Sequence, residues 1–119
     1  MKVYGSGVLE NERADLTGKS YVNLCFEKIQ KGLDWLENGD NCQTLPAALE
    51  VLFMLAEKFT DDVFVKLKKS DLIAWQSKYN DRYKVNSKKL PPKYRKDIKT
   101  NVDKIFNDLQ EYANDVSWL

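Results

Sequence analysis

The stretch over residues 45–59 reads Leu-Pro-Ala-Ala-Leu-Glu-Val-Leu-Phe-Met-Leu-Ala-Glu-Lys-Phe. It is apolar on nearly every side of a helix: Ala47, Ala48, Leu49, Val51, Leu52, Phe53, Met54, Leu55 and Ala56 leave only Glu50 and the terminal Glu57–Lys58 pair polar. A helix that is apolar all round is buried, either in a core or in a bilayer. At 15 residues the run falls short of the roughly 20 needed to span a bilayer, so it predicts a central core helix. Thr44 is placed to cap it and Pro46 sits in its first turn, where a missing N–H costs little. Its alanines would let neighbouring helices approach closely.

Those neighbours are legible on both sides. Upstream, Tyr21, Leu24, Cys25, Ile29, Leu33 and Leu36 follow the spacing of a one-sided helix over residues 16–37. Phe26 and Trp35 lie off that stripe, which implies contact with more than one neighbour. Asn38-Gly39-Asp40-Asn41 ends the helix, because Gly and Asn tolerate the left-handed conformation of a helix stop. Downstream, Asp61 and Asp62 are placed to cap a short segment over 63–69, and Asp71 to cap a helix through Leu72, Ile73, Trp75, Tyr79 and Tyr83. A Lys-rich loop over 86–89 leads to Leu90-Pro91-Pro92, and prolines suit the start of the next helix. Tyr94, Ile98, Val102, Ile105, Phe106 and Leu109 mark its buried face. Trp118-Leu119 is expected to dock on the core. The first fifteen residues read as a looped entry, with at most one short strand at 2–4. The predicted fold is mainly all-α: one compact domain of 1–119 built from five or six helices.

Composition narrows function by exclusion. The chain has 119 residues, 43% of them hydrophobic and 31% charged, an ordinary globular profile. Its N-terminus lacks the apolar core of a signal peptide, so the expected location is the cytoplasm. Cys25, on an apolar stripe, and Cys42, in a polar loop, are too few for a disulfide framework. The absence of His removes the common zinc ligand sets and the usual Ser–His and Cys–His nucleophiles. The carboxylate pairs Glu10/Glu12 and Asp61/Asp62 sit beside predicted helix starts, where negative charge is stabilising; near-adjacent residues cannot flank a substrate as an acid–base pair must. Gly5-Ser6-Gly7 lacks the GK[ST] ending of a phosphate loop. No cofactor, no metal and no enzymatic activity are expected.

Charge is distributed unevenly. Residues 1–65 carry 6 basic and 11 acidic side chains, residues 66–99 carry 12 and 3, and residues 100–119 carry 1 and 4. The basic belt interleaves Lys66, Lys68, Lys69, Lys78, Arg82, Lys84, Lys88, Lys89, Lys93, Arg95, Lys96 and Lys99 with Tyr79, Tyr83 and Tyr94, a mixture that nucleic-acid binders use. The overall pI of about 7.7 is far below the basic footprint of such modules. The acidic side chains Glu37, Asp40, Glu57, Asp61, Asp62, Asp108, Glu111 and Asp115, beside Trp35, Tyr112 and Trp118, suit a basic protein partner, whose encounter they would steer.

The opening Tyr4-Gly5-Ser6-Gly7-Val8-Leu9-Glu10-Asn11-Glu12-Arg13-Ala14-Asp15 resembles a bacterial domain family of unknown function. Its members begin with a pattern like W-G-x-G-x-F-E-N-D-x-A followed by an Asp. Tyr4 stands for the Trp, Leu9 for the Phe and Glu12 for the Asp, while Gly5, Gly7, Glu10, Asn11, Ala14 and Asp15 match as they stand. The likeness continues loosely through the alanine-rich second helix, a Trp after it (Trp75) and an acidic, Trp-containing tail. The resemblance implies a fold and a structural role for the motif, and no mechanism. In size and in mixed surface charge, though not in motif, the chain is also similar to the small helical immunity proteins of contact-dependent inhibition and related toxin systems. That likeness implies an immunity protein (antitoxin) that covers the active site of a toxin domain, a nuclease for preference. Asp61, Asp62, Asp108, Glu111, Asp115 and Trp118 are the candidate contact residues. A nucleic-acid binder using 66–99 and a self-associating scaffold subunit are the alternatives.

Overall fold

The computed structural model describes residues 2–39 and 43–116, with side chains described through Ala113. Among these residues five α-helices form an all-α bundle: α1 (Glu12–Asn38), α2 (Thr44–Lys58), α3 (Thr60–Lys66), α4 (Lys69–Asn86) and α5 (Pro92–Val116), with a 3-10 turn at Ser87–Lys89. None is long and apolar enough to cross a membrane. The bundle measures 51 × 27 × 24 Å, so it has two distinct ends.

Helix α1 starts four residues earlier than the periodicity predicts. Asn11, in extended backbone, accepts the Ala14 N–H at 2.9 Å, and Glu12 and Asp15 fill the first turn. A cap of this kind contributes about 1 kcal/mol. The predicted strand at 2–4 reduces to one antiparallel bridge between Val3 and Asn11, with Tyr4 N–H on the Glu10 carbonyl at 2.8 Å. At the other end Gly39 takes φ 75° and closes on the Leu36 carbonyl, the left-handed stop that the sequence predicts.

The buried stripe of α1 is rotated from the predicted one. Val22, Cys25, Ile29, Leu33 and Leu36 are buried, whereas Tyr21 and Leu24 are 56% and 46% exposed. The cause is close approach to α2: a Cβ on Gly32 would lie 2.7 Å from the Leu45 backbone nitrogen. The line of contact therefore passes through small residues, and the larger side chains beside it turn outward.

Helix α2 packs against α1, α3 and α5, as a central helix should. It is nevertheless not buried all round. Leu45, Pro46, Ala48, Leu49, Leu52 and Ala56 face the core, while Val51, Phe53 and Met54 are exposed. Among the described residues α1, α3 and α5 cover one side of α2 and leave the other open. Thr44 is the first helical residue rather than the cap, and Asp61, Asp62 and Asp71 occupy first turns without making side-chain cap hydrogen bonds. Phe59 joins α2 directly to α3, so no loop remains for a cap to sit in.

Helices α4 and α5 run antiparallel. Tyr79 lies 6.3 Å from the Phe106 ring, and the Gln110 amide donates to Gln76 at 2.8 Å. Val102, Ile105, Phe106, Leu109 and Ala113 are buried, but Tyr94, predicted on that face, is 50% exposed. The Lys-rich connection is ordered: Asn86 and Ser87 are buried, and Arg95 donates to the Leu90 and Lys88 carbonyls, both at 2.9 Å.

Candidate functional site

Helix α5 runs alongside α2 in the same sense, since Lys104 lies near Glu50 and Tyr112 near Thr60. Its last turns therefore reach the start of α3. The Tyr112 hydroxyl donates to the Thr60 carbonyl at 2.8 Å, tying the two helices together. Burial, and secondly the nearby charge of Asp61, push that hydroxyl above its ordinary titration range. Asp61 on α3 and Glu111 on α5 thus share one end of the bundle. Tyr112, which the sequence suggests as an exposed aromatic, is half-buried because this hydrogen bond anchors it.

Beside them a groove of about 500 Å³ runs between α2 and α5, lined by Phe53, Met54, Ala56, Glu57 and Tyr112. Met54 is 64% exposed. On the other flank of α3, Asp61 and Asp62 line a cleft of about 230 Å³ with Lys19, Asn23 and Lys66. The groove has an apolar centre (Phe53, Met54, the Tyr112 ring) with Glu57 on its lining; Asp61, near Tyr112, and the exposed Glu111 stand at the same end, while Asp62 shares the neighbouring cleft with Lys19 and Lys66. Sequence reading put Phe53 and Met54 in the core; the polar residues Glu50 and Glu57 in α2 are the only signal of an outer face.

The candidates are not equivalent. Asp61 and Glu111 are exposed and Asp62 is half-buried. Asp108 is half-buried and held by Lys104 at 3.0 Å; that hydrogen bond, followed by the Asp108 charge, raises the Lys104 amine above its ordinary value. Its charge is therefore largely spent within α5. The side chain of Asp115, and all of Trp118, lie outside the described residues, as do Asp40 and Cys42. Cys25 is a buried free thiol, and burial pushes its titration up, which suits a core residue.

The opening motif is brought together. The Glu10 carboxylate folds over Gly5 and Gly7, where a Cβ on either glycine would collide with it. Asn11 caps α1, and the Tyr4 hydroxyl is raised by local desolvation first and then by its hydrogen bond to Asp15. Leu9 is exposed. These contacts fasten the entry segment to α1 and present no reactive group. Among the described residues no cluster of His, Cys, Asp and Glu could hold a metal ion.

The basic belt does not form one patch. Lys69 and Lys84 stand at opposite ends of α4, about 22 Å apart at 1.5 Å per residue. Lys78 pairs with Glu37 at 2.6 Å and lowers its carboxyl, by hydrogen bond first and charge second; Lys99 pairs with Asp103 at 2.5 Å. What remains concentrated is the cap formed by the end of α4, the 3-10 turn and the start of α5. Comparison with protein-family models, curated proteins and solved structures finds no match to this chain.

Proposed function

We propose that the protein is a non-enzymatic immunity protein whose acidic end binds a basic toxin domain, a nuclease for preference, and covers its active site. The observation that carries this reading is the exposed Phe53–Met54 groove with Glu57 on its lining, at the end of the bundle where Asp61 stands near Tyr112 and Glu111 is exposed. A nuclease must present positive charge to bind phosphates, and an acidic surface competes for that charge. An apolar centre with a charged rim is the usual anatomy of a tight interface, which needs about 800 Å² per partner. The reading places the protein in the cytoplasm, where a toxin arriving in the cell would meet it.

The test begins with capture of the partner on tagged protein and its identification by mass spectrometry. Expressed alone, the captured domain should arrest growth, and co-expression with this protein should relieve the arrest. Asp61→Lys with Asp62→Lys should slow association by tenfold or more, within the usual range of electrostatic steering. A harmless partner, or unchanged association kinetics, would remove the proposal.

A further inference from the structure

The end opposite the proposed partner surface is a second, oppositely charged surface. Residues 82–99 hold eight basic side chains and one acidic, Asp97. Among the described residues none of Lys84, Lys88, Lys89, Lys93, Arg95 and Lys96 forms an ion pair with a carboxylate. Two are fixed without losing charge. Arg95 donates to the Leu90 and Lys88 carbonyls, and Lys89 donates to the Gly39 carbonyl at 2.8 Å, pinning the turn to the end of α1. The Tyr83 hydroxyl donates to the Arg95 carbonyl and ties α4 to α5 at the same point. A rigid framework therefore holds the cations of two helices and a turn close together.

Local helix energetics do not explain this concentration. The first turn of α5 contains no acidic residue, and Lys93, Arg95 and Lys96 stand near the positive end of its dipole. Cations there oppose the helix rather than support it. Tyr94 in the same turn is half exposed, with the Lys93 amine 4.9 Å from its ring centroid. Val85 is the one other large hydrophobic exposed between 82 and 96, too little apolar surface for insertion into a lipid bilayer. Clustered, unpaired cations beside an exposed aromatic face match what single-stranded nucleic acid offers: spaced phosphates and bases that stack.

We infer that the cap formed by the end of α4, the 3-10 turn and the start of α5 binds single-stranded nucleic acid through Lys84, Lys88, Lys93 and Lys96, with Tyr94 as a stacking platform. This site is independent of the acidic end.

The test is fluorescence anisotropy of labelled oligo-dT and oligo-rU with the full chain across a salt series. Binding should be strong at low salt and fall with a log–log slope of about −3 to −4, corresponding to four to six phosphates on a single strand. Lys84→Glu, Lys88→Glu, Lys93→Glu and Lys96→Glu combined should abolish binding while the circular dichroism spectrum stays helical; Arg95 and Lys89 are left in place because they hold the turn. Tyr94→Ala should weaken binding roughly tenfold. Asp61→Lys with Asp62→Lys should leave it no weaker, which separates this site from the proposed partner surface. No anisotropy change for the wild-type chain at low salt, or equal binding by the fourfold variant, would overturn the inference. Stronger binding to vesicles of anionic lipid than to the oligonucleotides would assign the cap to a membrane surface and overturn it equally.

Discussion

The two ends of the bundle use the same helix, α5, in opposite ways. At its start the charges are Lys93, Arg95 and Lys96, and at its far end Asp108 and Glu111, with no basic residue in the last turn. A helix dipole favours the reverse arrangement in the first turn, by about 0.3–1 kcal/mol for each well-placed charge; Asp108 and Glu111 lie more than a turn before the Val116 end, where that effect has faded. The first turns of α1 and α3 follow the rule, with Glu12 and Asp15 in one and Asp61 and Asp62 in the other. At the start of α5 the charges run against local helix stability, as Glu37 does in the last turn of α1. The ends also differ in how they are built. The basic cap has cations held by backbone carbonyls and little apolar surface. The acidic end has an apolar groove with Glu57 on its lining.

That contrast can be broken at several points. The largest expected effect is at the basic cap: Arg95→Met removes two charge-assisted bonds to backbone carbonyls and should destabilise the fold by about 2–3 kcal/mol, read by urea unfolding. If Arg95 were an idle surface cation, the change would lie within about 0.5 kcal/mol. At the acidic end Met54→Ala should do the opposite, leaving stability nearly unchanged because the side chain is mostly solvated. It should weaken partner binding by about 2 kcal/mol, roughly thirtyfold. A loss of stability without a loss of affinity would return Met54 to the core.

Tyr112→Phe should cost about 1 kcal/mol through the lost bond to Thr60. It should also alter the alkaline limb of the stability curve. The folded hydroxyl titrates above its ordinary value of 10.0, raised by burial and then by Asp61, so its contribution is complete below that value and is lost as pH rises through the raised one. Unfolding midpoints between neutral and strongly alkaline pH should fall less steeply in the Phe variant; parallel curves would show that the hydroxyl is not held. The smallest effect is the most discriminating. Lys93→Glu places a carboxylate in the first turn of α5 and should raise stability by about 0.3–1 kcal/mol while weakening oligonucleotide binding. A destabilised variant would show that Lys93 supports the fold and that its charge is not at odds with the helix.

Much of this architecture is legible in the residues. The second helix is bounded within one residue of its prediction, and Pro92 begins α5 as its chemistry suggests. Asp61 and Asp62 do fall in a first turn, although the missing loop before α3 leaves them without a cap bond. What eluded reading depends on packing. The replacement of Tyr21 and Leu24 by Val22 on the buried stripe of α1, which keeps Cys25, Ile29, Leu33 and Leu36, accompanies close contact at Gly32, which periodicity does not register. Phe53 and Met54 look like core by pattern, and among the described residues nothing covers them. The start of α1 was readable in principle, because Asn11 with Glu12 and Asp15 behind it is an N-terminal signature. So were the pairs Lys99–Asp103 and Lys104–Asp108, which sit at i,i+4 spacing. The Lys78–Glu37 pair, by contrast, joins two helices and is visible only in the folded chain.

The proposed partner surface is the acidic end around the Phe53–Met54 groove. Amide and methyl chemical-shift mapping of the labelled protein, titrated with its captured partner, addresses it directly. The perturbed signals should cluster at Phe53, Met54, Glu57, Asp61, Asp62, Glu111 and Tyr112, with those of residues 82–96 unmoved. Perturbations confined to 82–96, or to the exposed side of α1 and α2 around Leu24 and Val51, would contradict it.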